Sequence, residues 1–359
     1  MLRDRVDMHA TRENPSIPAW RSDEQGSPEP HELEPAYFDH ALQAWVLSRH
    51  RDILAALRDE RAVPASVKSG EAIAPANEDL RIRMRAQTLE ALSPALLRQW
   101  RQALQPELDR LLQNLHAGEP MDVLATYARP ACLALAAIVT GISQKQAKTL
   151  CEHARHVSVH AANPYDDSLR ASSEASQAKL HEGPFHAECE ALRDSTFVAI
   201  SQTIPCMLGN AWYALLRHPE QWRLLHEKPE LTEQAVEELL RYAGLTRLIA
   251  REAAEDLDIN GSVIRKGQRM ILRIIAGNHD PQRFADADSV DVMRPAAGHL
   301  ALGAGAHSCV GASLIRMSLV TITAPFLRKF SSASLGRPVH WQGGAIFQSP
   351  QSLWIEFSL

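Results

Sequence analysis

"HLALGAGAHSCVGASLIRMSL", residues 299–319, decides the reading of this chain. Its single cysteine, Cys309, follows a run of glycine, alanine and serine and stands directly before an apolar helical pattern. A thiolate is favoured at a helix N-terminus, where the dipole and the free N–H groups stabilise negative charge. Gly303, Gly305 and Gly311 have no Cβ, so the backbone here can lie close to something flat and bulky. Amide N–H groups near a sulfur can donate to it and tune a bound metal. Three readings share these residues: a core cysteine at a helix start, a nucleophile with His307 as its base, and a thiolate ligand to a metal or haem. In an extended loop His307 and Cys309 need not touch, so local chemistry leaves all three open.

The rest of the composition narrows the class. The chain has 359 residues and an ordinary hydrophobic share of 45%, enough for a sizeable core. A net charge of −5 argues against a nucleic-acid binder, which usually carries a strong basic excess. The start "MLRDRVDMHATREN" has no apolar segment of a secretion signal. The longest nearly apolar run, "ACLALAAIVTGI" from Ala131, falls short of the roughly 18 residues of a membrane span. These features predict a soluble, cytoplasmic protein. The five cysteines are scattered, with no CxxC pair for zinc or redox work. Cys132, Cys151, Cys189 and Cys206 sit in helical contexts and read as small core residues.

Residues 1–40 are polar and rich in Pro, Glu and His, and read as an irregular segment before a single domain over 41–359. "QAWVLSRH" from Gln43 has strand character and "RDILAALRDE" from Arg51 that of a helix. An Ala-, Pro- and Ser-rich loop covers 62–78. Helical patterns then run to about residue 243, with breaks at Ser93-Pro94, Gly118-Glu119-Pro120, Asn163-Pro164 and His218-Pro219. From Leu248 the pattern turns to short strands, with turns at Asn260-Gly261 and Lys266-Gly267. The C-terminal "GAIFQSPQSLWIEFSL" reads as short strands again. The expected fold is mainly α with small β regions.

The segment "LALGAGAHSCVGASL" resembles the haem-binding loop of the cytochromes P450, F-x-x-G-x-G-x-H-x-C-x-G in the common bacterial form. A leucine replaces the Phe; Gly305, His307, Cys309 and Gly311 match. Two further motifs stand in the family's order. "VEELLRY" contains Glu238-x-x-Arg241, which at i,i+3 share one helix face. "AGNHDPQRFADADSVDVMRP" resembles the downstream loop whose arginine, here Arg294, joins that pair in the family. Taken singly, an ExxR is a common surface ion pair. The resemblance runs from about Ala44 to Leu359 and is strongest from Pro219.

The resemblance implies a P450 fold, heme b (iron protoporphyrin IX) and Cys309 as its axial ligand. It implies haem-propionate contacts from Arg251, Arg85, His307 and Arg81, the last in place of a common histidine. Cations opposite two carboxylates form charge-assisted hydrogen bonds; any single arginine could equally be a solvated helix face. A thiolate ligand pushes electron density onto iron and favours O–O cleavage. The implied reaction is insertion of one oxygen atom from O2 into a small hydrophobic molecule, with electrons from a separate ferredoxin and ferredoxin reductase. The rivals are a haem-thiolate peroxygenase, a non-catalytic haem-binding protein, and a hydrolase built on Cys309 and His307.

Two departures from the family pattern mark the substrate side, expected at Ala199, Ile200, Leu245 and Arg247. Alternation in "LTRLIAR" puts Leu245, Arg247, Ile249 and Arg251 on one side. Arg247 stands where the family is usually apolar, and an unpaired arginine in an apolar pocket is costly. It therefore either holds a substrate carboxylate, turns outward, or pairs with a protein carboxylate. The helix "FVAISQTIPCMLGNAWYALLRHP" resembles the one that crosses the haem, where the family usually has A-G-x-[D/E]-T. Here Ala199-Ile200-Ser201-Gln202-Thr203 keeps the threonine and replaces the acid with an amide. Pro205 has no N–H for the Ser201 carbonyl, so the helix should open near Ser201. Gln202 and Thr203 are the expected relay pair. Gln202 can hold a water but cannot titrate as an acid does. The alternative is that Gln202 only packs while another water chain supplies protons.

Overall fold

The computed structural model describes residues 33–65, 78–164, 166–186, 192–344 and 346–358. Its helices are α1 (His50–Arg58), α2 (Glu78–Ala91), α3 (Pro94–Gln113), α4 (Arg129–Thr140), α5 (Gln144–Ala162), α6 (Arg170–His181), α7 (Asp194–Val198), α8 (Ile204–Arg217), α9 (Pro219–Glu227), α10 (Thr232–Ala243), α11 (Ile274–Asn278) and α12 (Ala312–Lys329). Its strands are β1 (Tyr37–Asp39), β2 (Ala44–Leu47), β3 (Ala62–Pro64), β4 (Met121–Asp122), β5 (Ile249–Ala253), β6 (Leu257–Ile259), β7 (Ser262–Ile264), β8 (Arg269–Leu272), β9 (Ser332–Leu335), β10 (Trp341–Gly343), β11 (Gln348–Pro350) and β12 (Trp354–Ser358).

The helix boundaries follow local capping chemistry. Ser93 accepts the Leu96 amide ahead of Pro94, and Ser143 forms a reciprocal capping box with Gln146. Gly141, at φ 69°, ends α4 in the left-handed conformation. The apolar run from Ala131 is buried along α4. No single helix among the described residues is long and apolar enough to cross a membrane.

The strands form a five-stranded sheet in the order β1-β2-β8-β5-β3, a three-stranded sheet β4-β12-β9, and the hairpins β6-β7 and β10-β11. Asn260 (φ 51°) and Gly261 (φ 94°) make the β6–β7 turn in the left-handed region. Two expectations are corrected here. Tyr37–Asp39 is not irregular but pairs antiparallel with Ala44–Val46. It is an edge strand, half in solvent, so its composition carries no alternation. Ala62–Pro64 is not loop, because it pairs with Arg251–Ala253. Residues 1–32 and 66–77 lie outside the described residues.

Two apolar cores result. The larger runs through the helices and holds an aromatic stack in which Trp212 and Phe326 lie 4.6 Å apart, with Tyr127 5.6 Å from Phe326. The smaller joins α1 to the five-stranded sheet and includes Leu300, at the mouth of the cysteine loop.

Candidate functional site

The cysteine loop is fixed from both ends. The Cys309 amide donates to the Leu302 carbonyl at 2.8 Å, and Gly303 and Gly305 both take φ 70°. A Cβ on Gly305 would lie 2.4 Å from the Leu57 carbonyl oxygen at the end of α1. The close approach that requires glycine at 305 is therefore made to α1, a correction to its reading as clearance for a flat group. Gly311 precedes α12, and its amide donates to the Cys309 sulfur. Burial pushes the Cys309 thiol up from its ordinary range, against the opposing effects of that amide, Arg85 and Arg316. A thiol raised in this way is a poor nucleophile, whereas a bound metal would deprotonate it outright.

Arg85, on α2, reaches the residue beside the cysteine. It donates to the Ser308 carbonyl at 2.6 Å and to the Ser308 hydroxyl at 2.8 Å. Arg251 lies on β5 and is only 7% exposed. Its one hydrogen bond among the described residues goes to the neighbouring Ala250 carbonyl at 3.2 Å. Burial alone lowers its pKa, with no acid nearby to hold it up. A buried guanidinium lacking an acidic partner calls for an anion. His307 lies in the short turn Gly305–His307. Arg81 falls on α2, but its side chain is outside the described set.

The structure brings Glu238, Arg241 and Arg294 together. Glu238 and Arg241 have fully buried side chains and form a two-pronged pair at 2.7 and 2.8 Å. Arg294 reaches Glu238 at 3.1 Å, and the Asp291 amide donates to it at 3.0 Å. Arg241 also donates to the carbonyls of Asn278 and Ala287, each at 2.8 Å. Asn278 in turn accepts the Leu300 amide at 2.6 Å, which ties this cluster to the cysteine loop.

A second network was missed by the sequence reading. Arg316 pairs with Glu237 through 2.5 and 3.0 Å contacts, and His299 lies 3.3 Å from the same carboxylate. Burial raises the Glu237 pKa, but the neighbouring His299 and the hydrogen-bonded Arg316 outweigh it and bring it to about 2. Arg316 lies near the start of α12, the helix that follows Cys309.

The long helix opens where Pro205 requires it. α7 runs into a π-helical segment, Ala199–Thr203, in which the Ile204 amide bonds to the Ala199 carbonyl five residues back. α8 then continues from Ile204. Such π-turns are common at functional sites. The side chain of Gln202 turns toward α5, with its amide 3.4 Å from both the carbonyl and the sulfur of Cys151. The Thr203 hydroxyl has no hydrogen bond among the described residues. Ala199 is exposed, while Ile200 is fully buried in the larger core. Successive helical residues point roughly 100° apart, so these two neighbours face different surroundings.

Leu245 lines a cavity of about 1480 Å3 that also reaches Ser201, Gln202 and Thr203. Thr246 bridges to Phe347, and the Arg247 amide donates to the Ile346 carbonyl at 2.8 Å. Arg247 precedes β5, so strict alternation does not extend to it. Its guanidinium is half-buried, lowered in pKa by burial, and makes no hydrogen bond among the described residues.

Comparison with known proteins agrees with this arrangement. A family model described as Cytochrome P450 matches residues 221–342. Nocardicin C N-oxygenase of Nocardia uniformis subsp. tsuyamanensis is 28% identical over 351 residues, covering 86% of this chain and 88% of that protein. Linalool 8-monooxygenase of Pseudomonas putida is 26% identical over 344 residues, covering 80% and 83%. The crystal structure of P450BioI in complex with hexadec-9Z-enoic acid ligated acyl carrier protein superposes with a TM-score of 0.80 at 23% identity, over 90% of this chain and 94% of that one. The chain belongs to the cytochrome P450 family. It is a P450 monooxygenase of bacterial type, with haem b as its cofactor.

Proposed function

We propose that Cys309 is the haem ligand and that the chain oxygenates a small hydrophobic organic acid. The observation that carries the haem assignment is the set of donors around the loop. A half-buried free thiol receives the Gly311 amide, while Arg251 is buried without an acid and Arg85 reaches Ser308 beside the thiol. Arg251, Arg85, His307 and Arg81 would hold the two propionates. Haem, when bound, supplies oxygen activation. The protein's part is to fix the sulfur, exclude water and deliver protons. Thr203 and Gln202 stand at the opened helix for that delivery. Electrons come from a separate ferredoxin and its reductase, and the chain works as a single domain over 41–359 in the cytoplasm. Cys309→Ser should abolish the thiolate signature in the ferrous–CO difference spectrum, while substitution of Cys132, Cys151 or Cys206 should leave it intact. An unchanged spectrum in Cys309→Ser would overturn the assignment.

The acid is inferred from Arg247. A half-buried guanidinium without a hydrogen bond among the described residues is costly unless a ligand pairs with it. Leu245 and Ala199 would form apolar wall beside it, with Ile200 packed behind. A substrate-range acid should bind more tightly than its methyl ester, and Arg247→Leu should erase the difference. Equal affinity of the native protein for acid and ester would remove this reading.

A further inference from the structure

The 1480 Å3 cavity is larger than a drug-sized ligand needs, and none of the loop residues Cys309, His307 or Gly311 lines it. It is lined by α3, α4, α5 and the β10–β11 hairpin, and also by Ser201–Thr203 and Leu245. Its wall includes Leu124, Leu133, Val159 and Phe347. Thr246 pairs with Phe347 and the Arg247 amide with Ile346, so the wall at Leu245 and Phe347 is continuous with the backbone that carries Arg247.

The charges on its lining are not balanced alike. Glu107 is taken by Arg110 and Glu152 by Arg155, each through a 2.5 Å contact. Glu152 also faces His156 at 3.3 Å. Asp122 accepts the amides of Leu124 and Leu353, both at 3.1 Å. Two cations remain without a carboxylate. Arg129 donates to the Gln351 carbonyl at 2.7 Å, and exposed Lys148 has no partner among the described residues. The lining thus carries four cations (Arg110, Arg129, Lys148, Arg155) against three carboxylates (Glu107, Asp122, Glu152), beside apolar side chains.

We propose that this cleft is the entry route for an amphiphilic organic acid, with Lys148 and Arg129 drawing its carboxylate to the rim before it passes inward. This deepens, and rests on, the reading of the substrate as an acid held at Arg247. Rim charges act mainly on association rate, whereas a buried partner acts on release.

Cys151 supplies a reporter, because it lines the cleft beside Gln202 and is free. In haem-loaded protein, its alkylation by the anion iodoacetate and by neutral iodoacetamide is followed by peptide mass. Lys148→Glu should lower the iodoacetate-to-iodoacetamide rate ratio about fivefold at low salt, and the change should vanish near 1 M, where the Debye length is about 3 Å. Dodecanoate should protect Cys151 from iodoacetamide, and dodecyltrimethylammonium, with the same chain and opposite charge, should not. Val159→Trp should slow both reagents by narrowing the cleft. An unreactive Cys151, a rate ratio indifferent to Lys148→Glu, or failure of dodecanoate to protect would each overturn the route. A retained preference for acid over ester at Arg247 would then leave the substrate reading standing and remove the route alone.

Discussion

Around Glu238 every charged atom has a partner. One carboxylate oxygen accepts from Arg241, Arg294 and the Asp291 amide, and the other from Arg241. Around Ser201–Thr203 the opposite holds. Gln202 makes only long contacts of 3.3 and 3.4 Å, and the Thr203 hydroxyl makes no hydrogen bond among the described residues. A fully paired polar network in a dry interior can fix one arrangement of the chain, since any other leaves a charge bare. Groups left uncommitted beside a cavity have bonding capacity to offer a ligand. The first region is frame and the second is where recognition can occur.

The largest effect should come from breaking the frame. Glu238→Ala leaves Arg241 and Arg294 with buried positive charge and no carboxylate. Loss of one partner of such a pair costs about 3–5 kcal/mol, a large part of a typical domain stability of about 5–15 kcal/mol. Denaturant unfolding of the variant should show a loss of that size, or the protein should fail to accumulate folded. A loss below about 1 kcal/mol, the range of surface pairs, would erase the distinction between the two regions.

A smaller effect is expected at Gly305. An alanine there must hold φ 70° and place a Cβ 2.4 Å from the Leu57 carbonyl oxygen. The left-handed conformation alone costs about 1–2 kcal/mol, and the clash must add to it by displacing α1 from the loop. Gly261 offers the control, since its φ is 94° but nothing lies within 4 Å of its Cβ position. Gly305→Ala should therefore destabilise more than Gly261→Ala in the same denaturation experiment. Equal losses would show that the loop is not clamped against α1.

What the sequence made legible tracks the range of the interactions. The breaks at Ser93-Pro94 and His218-Pro219 could be read because capping and proline chemistry act within a few residues. The opening at Ser201 was legible for the same reason, through the missing N–H of Pro205. Cys309 and the Glu238, Arg241 and Arg294 set came from motif resemblance, since no local rule joins residues 56 positions apart. The bond from Arg85 to Ser308 spans 223 positions, and only the fold reveals it. Gly305 was read as clearance because composition shows that a Cβ is missing but not which neighbour requires its absence. Ile200 and Ala199 look alike in an apolar helix, and only the fold shows which of the two faces the core.

The smallest and most specific effect concerns Gln202 and Thr203, where the second region should act on chemistry and not on stability. The carboxamide cannot change protonation, so its contribution is to position water between the cavity and the opened helix. The Thr203 hydroxyl can donate and accept at once, which suits the last position of a proton path. Gln202→Glu introduces a carboxylate 3.4 Å from the Cys151 carbonyl and sulfur, which should turn it toward the water-accessible cavity. Both variants should unfold within about 0.5 kcal/mol of the native protein, the range for substitutions away from packed networks. The measurement is the fraction of reducing equivalents recovered in product and not in peroxide. Gln202→Glu should alter that fraction and introduce a dependence on pH in the carboxylate range, absent from the native amide, while Thr203→Ala should lower it. If the fraction stays constant in both variants with substrate binding intact, protons reach the site by another path, and the uncommitted groups at Ser201–Thr203 serve only to admit the ligand.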